Sequence, residues 1–339
     1  MRLRRWAQAA MAGVLVGVVM PNAAGFPARI PAGQLGGPGP CTAAAPVIAA
    51  NPAASGQKVY VYQPTGSGRP RIGGTCDDSA RPVAFWTHAY GGNPGPATFI
   101  DNLVSNGFIV IASGYASLDS AAYAKRYATN DAGNALGTTL TSRADLTRAG
   151  FFGHSQGGGM SPGMLLRGVA RGWGANALWL AMFAPAGMEG VGAAPAIDLP
   201  AHTRALVTTY SEDYVVDSRI GIEAWTAFDV PAASKEYLLV RSSTSGSDTL
   251  KAEHFTFGAD NALGWYGTHR NTQALAECAI LGSGCAAGNT NMGSWSNGVA
   301  VKPALSSRNA PPTDVDAWPG LVSCTDASYP RRAYCIAGD

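Results

Sequence analysis

A series of short apolar runs limits the fold more than any other feature of this chain. They lie at residues 59–62, 83–87, 108–112, 150–153, 178–183, 205–210 and 237–240. Several are apolar along their whole length rather than alternating, as strands covered on both faces by helices require. The stretches between them have helical character, clearest at 96–106, 158–171, 218–228 and 268–281. This alternation predicts an α/β fold: a mostly parallel central sheet, flanked by helices and joined by right-handed crossovers. No internal repeat is visible. Residues 55–282 are expected to form the main domain. Ahead of it, 25–54 is rich in Pro, Gly and Ala without periodicity and reads as a mobile lead-in. After it, 283–339 reads as a disulfide-pinned C-terminal extension. The turn-rich 293–298 in that extension, built around Trp295, is expected to pack on the core.

The first 24 residues have the layout of an export signal. Arg2, Arg4 and Arg5 precede a short apolar stretch, and Ala23-Ala24 supply small residues for cleavage. No later segment is apolar for the ~18 residues of a membrane span, so a secreted protein without a transmembrane segment is expected. The six cysteines fit an oxidising compartment. Sequence proximity favours Cys278–Cys285 and Cys324–Cys335, leaving Cys41–Cys76. No metal site is expected, because the chain has neither a C-x2-C pair nor a nearby His doublet. With 14% charged residues and a formal net charge of +2, nothing suggests a match to nucleic acid.

Gly153-His154-Ser155-Gln156-Gly157 follows an apolar run and precedes a helix-compatible stretch. A serine on a tight strand-to-helix turn needs glycine on both sides, and that turn lifts its hydroxyl above the sheet. Ser155 is the expected nucleophile, and it needs a base later in the chain. His202, His254 and His269 are available. His202 precedes a strand, at the wrong end of the sheet, and His269 starts a helix. His254 lies in a loop after the last strand and is the expected base. The acid should follow the preceding strand, where Glu212, Asp213 and Asp217 stand close together. Asp213, followed by Tyr214-Val215-Val216, fits best; Asp217 has the alternative of capping the next helix.

A tetrahedral intermediate needs two backbone N–H donors. The amide of Gln156 follows from the turn. The second is expected from the loop His88-Ala89-Tyr90-Gly91-Gly92, at Tyr90 or its neighbour Ala89. His88 reads as a packing or hydrogen-bonding residue of that loop. No cofactor is implied. The stretch between 183 and 205 is too short for a helical cap, so the site is expected to be open.

These pieces, in this order, resemble the bacterial cutinases and polyethylene terephthalate hydrolases of the α/β-hydrolase superfamily. The likeness runs from about residue 57 to 257. It rests on Tyr90, Asn106-Gly107-Phe108-Ile109-Val110-Ile111, the serine motif with Gly158-Gly159, Ala184-Pro185, Asp213-Tyr214-Val215-Val216 and His254-Phe255. The resemblance implies an α/β-hydrolase fold with Ser155, Asp213 and His254 as triad. It also implies an oxyanion hole of the Tyr90 and Gln156 amides, and ester cleavage in a shallow groove. Those enzymes usually carry Met where this chain has Gln156, and a groove-lining Trp after Ala-Pro where it reads Ala186-Gly187-Met188. Tyr90 and Met188 are therefore the expected substrate-binding residues. The expectation is a monomeric secreted ester hydrolase acting on polymeric or lipid-like esters. A small-ester esterase or lipase is the near alternative, and an inactive binding protein on the same scaffold the distant one.

Overall fold

The computed structural model describes residues 29–91, 97–115, 123–187, 197–282, 285 and 289–309. The expected signal segment, Met188, Cys324 and Cys335 lie outside these residues.

Nine strands form the central sheet: β1 Val47–Ala50, β2 Lys58–Tyr62, β3 Arg81–Thr87, β4 Ile109–Ser113, β5 Ala144–His154, β6 Ala177–Phe183, β7 Arg204–Tyr210, β8 Lys235–Val240 and β9 Leu305–Ser307. Across the sheet they run β1-β2-β4-β3-β5-β6-β7-β8-β9. The six from β4 to β8 are mutually parallel, while β1, β2 and β9 pair antiparallel at the two edges. The chain moves outward from β3 to β4 on one side and through β5, β6, β7 and β8 on the other. That reversal makes the carboxyl ends of β3 and β5 the topological switch point, where open α/β sheets generally place their ligands.

Among the described residues five α-helices cover the faces: α1 Ala97–Ser105, α2 Tyr123–Thr139, α3 Gln156–Ala170, α4 Arg219–Ala227 and α5 Arg270–Leu281. The two-residue period of a strand divides the core between them. Val83 and Phe85 of β3, with Ile109 and Ile111 of β4, pack with Met160, Met164 and Leu165 of α3 and Trp225 of α4. Ala84 and Trp86, with Val110 and Ala112, face Phe99 and Leu103 of α1 and Ala276 of α5. β3, β4 and β6 are buried along their whole length, which explains why their sequences are apolar on both faces apart from Arg81, Thr87 and Ser113 at strand ends.

All seven expected strands and all four expected helices are present, with ends shifted by a few residues. The helix expected across 268–281 is longer than that: Leu263–His269 forms a π-helix that runs directly into α5. His269 ends this π-helix fully buried, and neither ring nitrogen has a hydrogen-bond partner among the described residues.

The lead-in expectation needs correction from residue 29 onward. The Gly36 amide donates to Gln273 Oε1 (2.6 Å), and the Asn102 and Asn106 side-chain amides donate to the Gly36 and Gly37 carbonyls (3.1 and 3.0 Å). Cys41 is bonded to Cys76, and Val47–Ala50 is the edge strand β1. A segment of Gly, Pro and Ala that docks through its backbone leaves no side-chain periodicity to detect. Cys278 and Cys285 form the second disulfide, and no free cysteine occurs among the described residues. Part of the C-terminal extension also belongs to the core. Trp295 is buried and donates its indole N–H to Ser243 Oγ (3.3 Å), and Leu305–Ser307 completes the sheet as β9.

Candidate active site

The parallel strands bring their following loops to one edge of the sheet. β3 leads into His88–Gly91, β5 into Ser155, β6 into Ala184, β7 into Asp213, and β8, after a short hairpin, into His254.

Ser155 stands alone between β5 and α3, with φ 55° and ψ −122°, a backbone conformation that non-glycine residues rarely adopt. It is held there from both sides of its peptide. Its amide donates to Phe183 O (2.9 Å), and its carbonyl accepts from the amides of Gly159 (3.0 Å) and Ala186 (2.9 Å). The flanking glycines follow from crowding. A Cβ on Gly157 would collide with the carbonyl oxygens of Thr87 and His88. One on Gly153 would lie 2.5 Å from Gly157 O and 2.6 Å from Thr87 O. The same crowding shows that the loop after β3 lies directly against the first turn of α3.

His254 and Asp213 form a buried pair, with His254 Nδ1 2.8 Å from Asp213 Oδ2. The carboxylate is fixed by its own turn, because Oδ1 accepts from the amides of Val215 (2.9 Å) and Val216 (3.0 Å). An ionised carboxylate obliges the facing nitrogen to carry the proton, so Nε2 of His254 is the basic one. Asp217 faces elsewhere. Its Oδ1 accepts from the amide (3.0 Å) and Nε (2.8 Å) of Arg219 at the start of α4, both residues being buried. His202 donates Nε2–H to Gly174 O (2.9 Å) at the opposite edge of the sheet.

The two acids therefore separate in experiment. Asp213→Asn should lower kcat by roughly 10²–10⁴-fold, because an amide cannot hold His254 in the tautomer that leaves Nε2 free. Asp217→Asn should leave kcat within a few fold but lower stability by roughly 1–3 kcal/mol, because the charged hydrogen bond between buried Asp217 and Arg219 is weakened. Steady-state kinetics and thermal melts on both variants check this; reversed losses would make Asp217 the acid.

The loop carrying Tyr90 is clamped by a residue that the sequence did not single out. Tyr115, just past β4, donates its hydroxyl to His88 O (2.6 Å) and its amide to His88 Nε2 (3.3 Å), and the two rings stack 4.1 Å apart. His88 Nδ1–H donates to Ala89 O (2.7 Å). Burial pushes the His88 pKa down to about 4, so the ring is neutral at pH 7 and acts as a brace, as expected, rather than a base. Tyr90 is partly buried in the following turn, and Gln156 begins α3. The amides of both have no hydrogen-bond acceptor among the described residues.

Two aromatic side chains are exposed beside the His–Asp pair: Tyr214 after the acid and Phe255 after the base, each 60% accessible. By contrast Ser155, Asp213 and His254 are only 7%, 2% and 2% accessible. No cluster of His, Cys, Asp and Glu suited to a metal ion occurs among the described residues. No model of a known protein family matches the chain, and neither does any curated protein.

Proposed function

We propose that this chain is a secreted serine ester hydrolase of the α/β-hydrolase fold, in which Ser155 forms an acyl-enzyme. The observation that carries the reading is the joint placement of two features. A serine held at positive φ on a strand-to-helix turn shares the carboxyl edge of a parallel sheet with a buried, oriented His–Asp pair. His254 Nε2 takes the Ser155 proton as the hydroxyl attacks the ester carbonyl, and returns it to the leaving alcohol. Water then attacks the acyl-enzyme by the same route. Asp213 stabilises the imidazolium formed in each half. The amides of Gln156 and Tyr90 receive the oxyanion, helped by the α3 N-terminus. Chain order supports the fold assignment, since nucleophile, acid and base follow one another as Ser, Asp and His. Two disulfides support an exported protein, and no helix among the described residues is long and apolar enough to cross a membrane.

Exposed Tyr214 and Phe255 favour an ester that reaches the site from a surface, such as a polyester or lipid. The depth of the triad favours the second reading, an esterase for small soluble esters. Purified protein should release acid from a chromogenic short-chain ester and from a polycaprolactone film, and more slowly from an aromatic polyester film. Turnover of the short ester with no release from either film would select the small-ester reading. No turnover of any of them would remove the hydrolase reading.

A further inference from the structure

The hydrogen bonds of the described residues contain no direct bond between Ser155 and His254, although catalysis requires the two side chains to meet. One bond does join their segments. His154, the last residue of β5, donates Nε2–H to the backbone carbonyl of His254 at 2.8 Å, across 100 residues of sequence. Among the described residues it is the sole hydrogen bond between the turn at 153–157 and the loop at 251–258.

The surroundings of His154 suit this task. Its ring is fully buried, lies against the Phe257 ring with centroids 4.1 Å apart, and sits 4.4 Å from the His254 ring. Burial and the neighbouring His254 hold its pKa well below the usual histidine value, so it is neutral at pH 7. A nitrogen facing a carbonyl must carry the proton, which defines the tautomer as Nε2–H.

We infer that His154 is a positioning residue. Its N–H sets the position of the His254 backbone relative to Ser155, so the variable second position of the serine motif controls how the base approaches the nucleophile. The inference rests on the hydrolase reading above. An imidazole carried on a loop has no other hydrogen-bonded tie to the nucleophile's turn. A displacement of about 1 Å at reacting atoms is enough to cost on the order of 10²-fold in rate.

Two substitutions separate positioning from packing. His154→Phe keeps an aromatic ring against Phe257 and removes the donor. His154→Gln removes the ring and keeps an N–H at similar reach. Positioning predicts that the Phe variant loses roughly 10- to 100-fold in kcat with KM within about twofold, and melts no lower than the parent. The Gln variant should melt lower yet keep kcat within roughly threefold of the parent. The rate of Ser155 labelling by a serine-directed phosphonate should follow kcat. A packing role predicts the opposite order, with Phe the more active, and that result would overturn the inference. If the Phe variant does not fold by near-ultraviolet circular dichroism, a folded Gln variant with less than about a tenth of parental kcat overturns it alone. A parent protein that neither turns over esters nor takes up the phosphonate contradicts the hydrolase reading itself; an active parent with the wrong variant order contradicts only the role of His154.

Discussion

Replacing Ser155 with alanine is expected to reduce ester turnover by on the order of 10⁴-fold or more while leaving the fold in place. The size follows from what is removed. Without the hydroxyl there is no acyl-enzyme, and only the oxyanion donors and substrate binding remain to accelerate attack by water. The fold is expected to survive because the Ser155 peptide, not its side chain, carries the structural bonds to Phe183, Gly159 and Ala186. Alanine also relieves nothing at φ 55°, so a small loss of stability is expected and a gain is not. The measurement is a paired one: kcat on a chromogenic ester, and mass-spectrometric mapping of phosphonate adducts. Adducts on Ser155 in the parent and none in the variant are expected. Labelling of another serine would move the nucleophile elsewhere.

The second large effect concerns acid. Three histidines are buried in the neutral form. Burial lowers the pKa of His88 to about 4 and of His269 to about 3, and that of His154 well below its ordinary value. In the unfolded chain each returns to about 6.5. Between these values the unfolded state binds more protons, so stability is full above about pH 6.5 and falls as the pH drops toward the folded-state values. At 1.36 kcal/mol per pH unit, His88 and His269 each withdraw about 3 kcal/mol by pH 4. That is a large part of the ~5–15 kcal/mol that holds an ordinary domain together. Urea melts at pH 7, 6, 5 and 4 should show a steep decline that begins near pH 6. His269→Leu should flatten it and raise stability at pH 7, because it also removes two ring nitrogens that have no partner among the described residues. A stability profile level down to pH 4 would contradict this account.

The sequence was most legible where burial is most complete. β3, β4 and β6 have apolar side chains on both faces, so their composition states their environment directly. Elements at the periphery carry weaker marks. β1 is largely exposed, with Val47 and Ile48 facing solvent, and β9 has only three residues. Helix α2 leaves no helical signature in the sequence. Its sequence includes Gly133, Gly137, Asn130, Asn134 and three threonines, all poor helix formers, and its buried side includes the polar residues Arg126, Thr129, Asn130 and Asn134. Tertiary packing, not local preference, makes it helical. At the site, the serine motif and its glycines were visible because a single tight turn demands all of them. Which of Glu212, Asp213 and Asp217 faces His254 is visible only in the fold, since three carboxylates within six residues differ only in where the turn points them. The bonds from His154 and Tyr115 were invisible because each joins segments that meet only in three dimensions.

The Cys41–Cys76 bond protects one flank of the sheet. The bond spans 35 residues, and both β1 and β2 lie within the loop it closes. These strands form the outermost hairpin on one flank of the sheet, where unpaired backbone groups invite another chain to add a strand. The bond ties the hairpin's leading end to the chain just before β3, so a hairpin that frays from β4 gains less freedom than it would in an open chain. The opposite flank ends in the three-residue β9, too short to template a long partner. Reduction should therefore do more than loosen a loop: it should open the sheet to strand exchange and fibre-like association at concentrations where the oxidised protein stays dispersed.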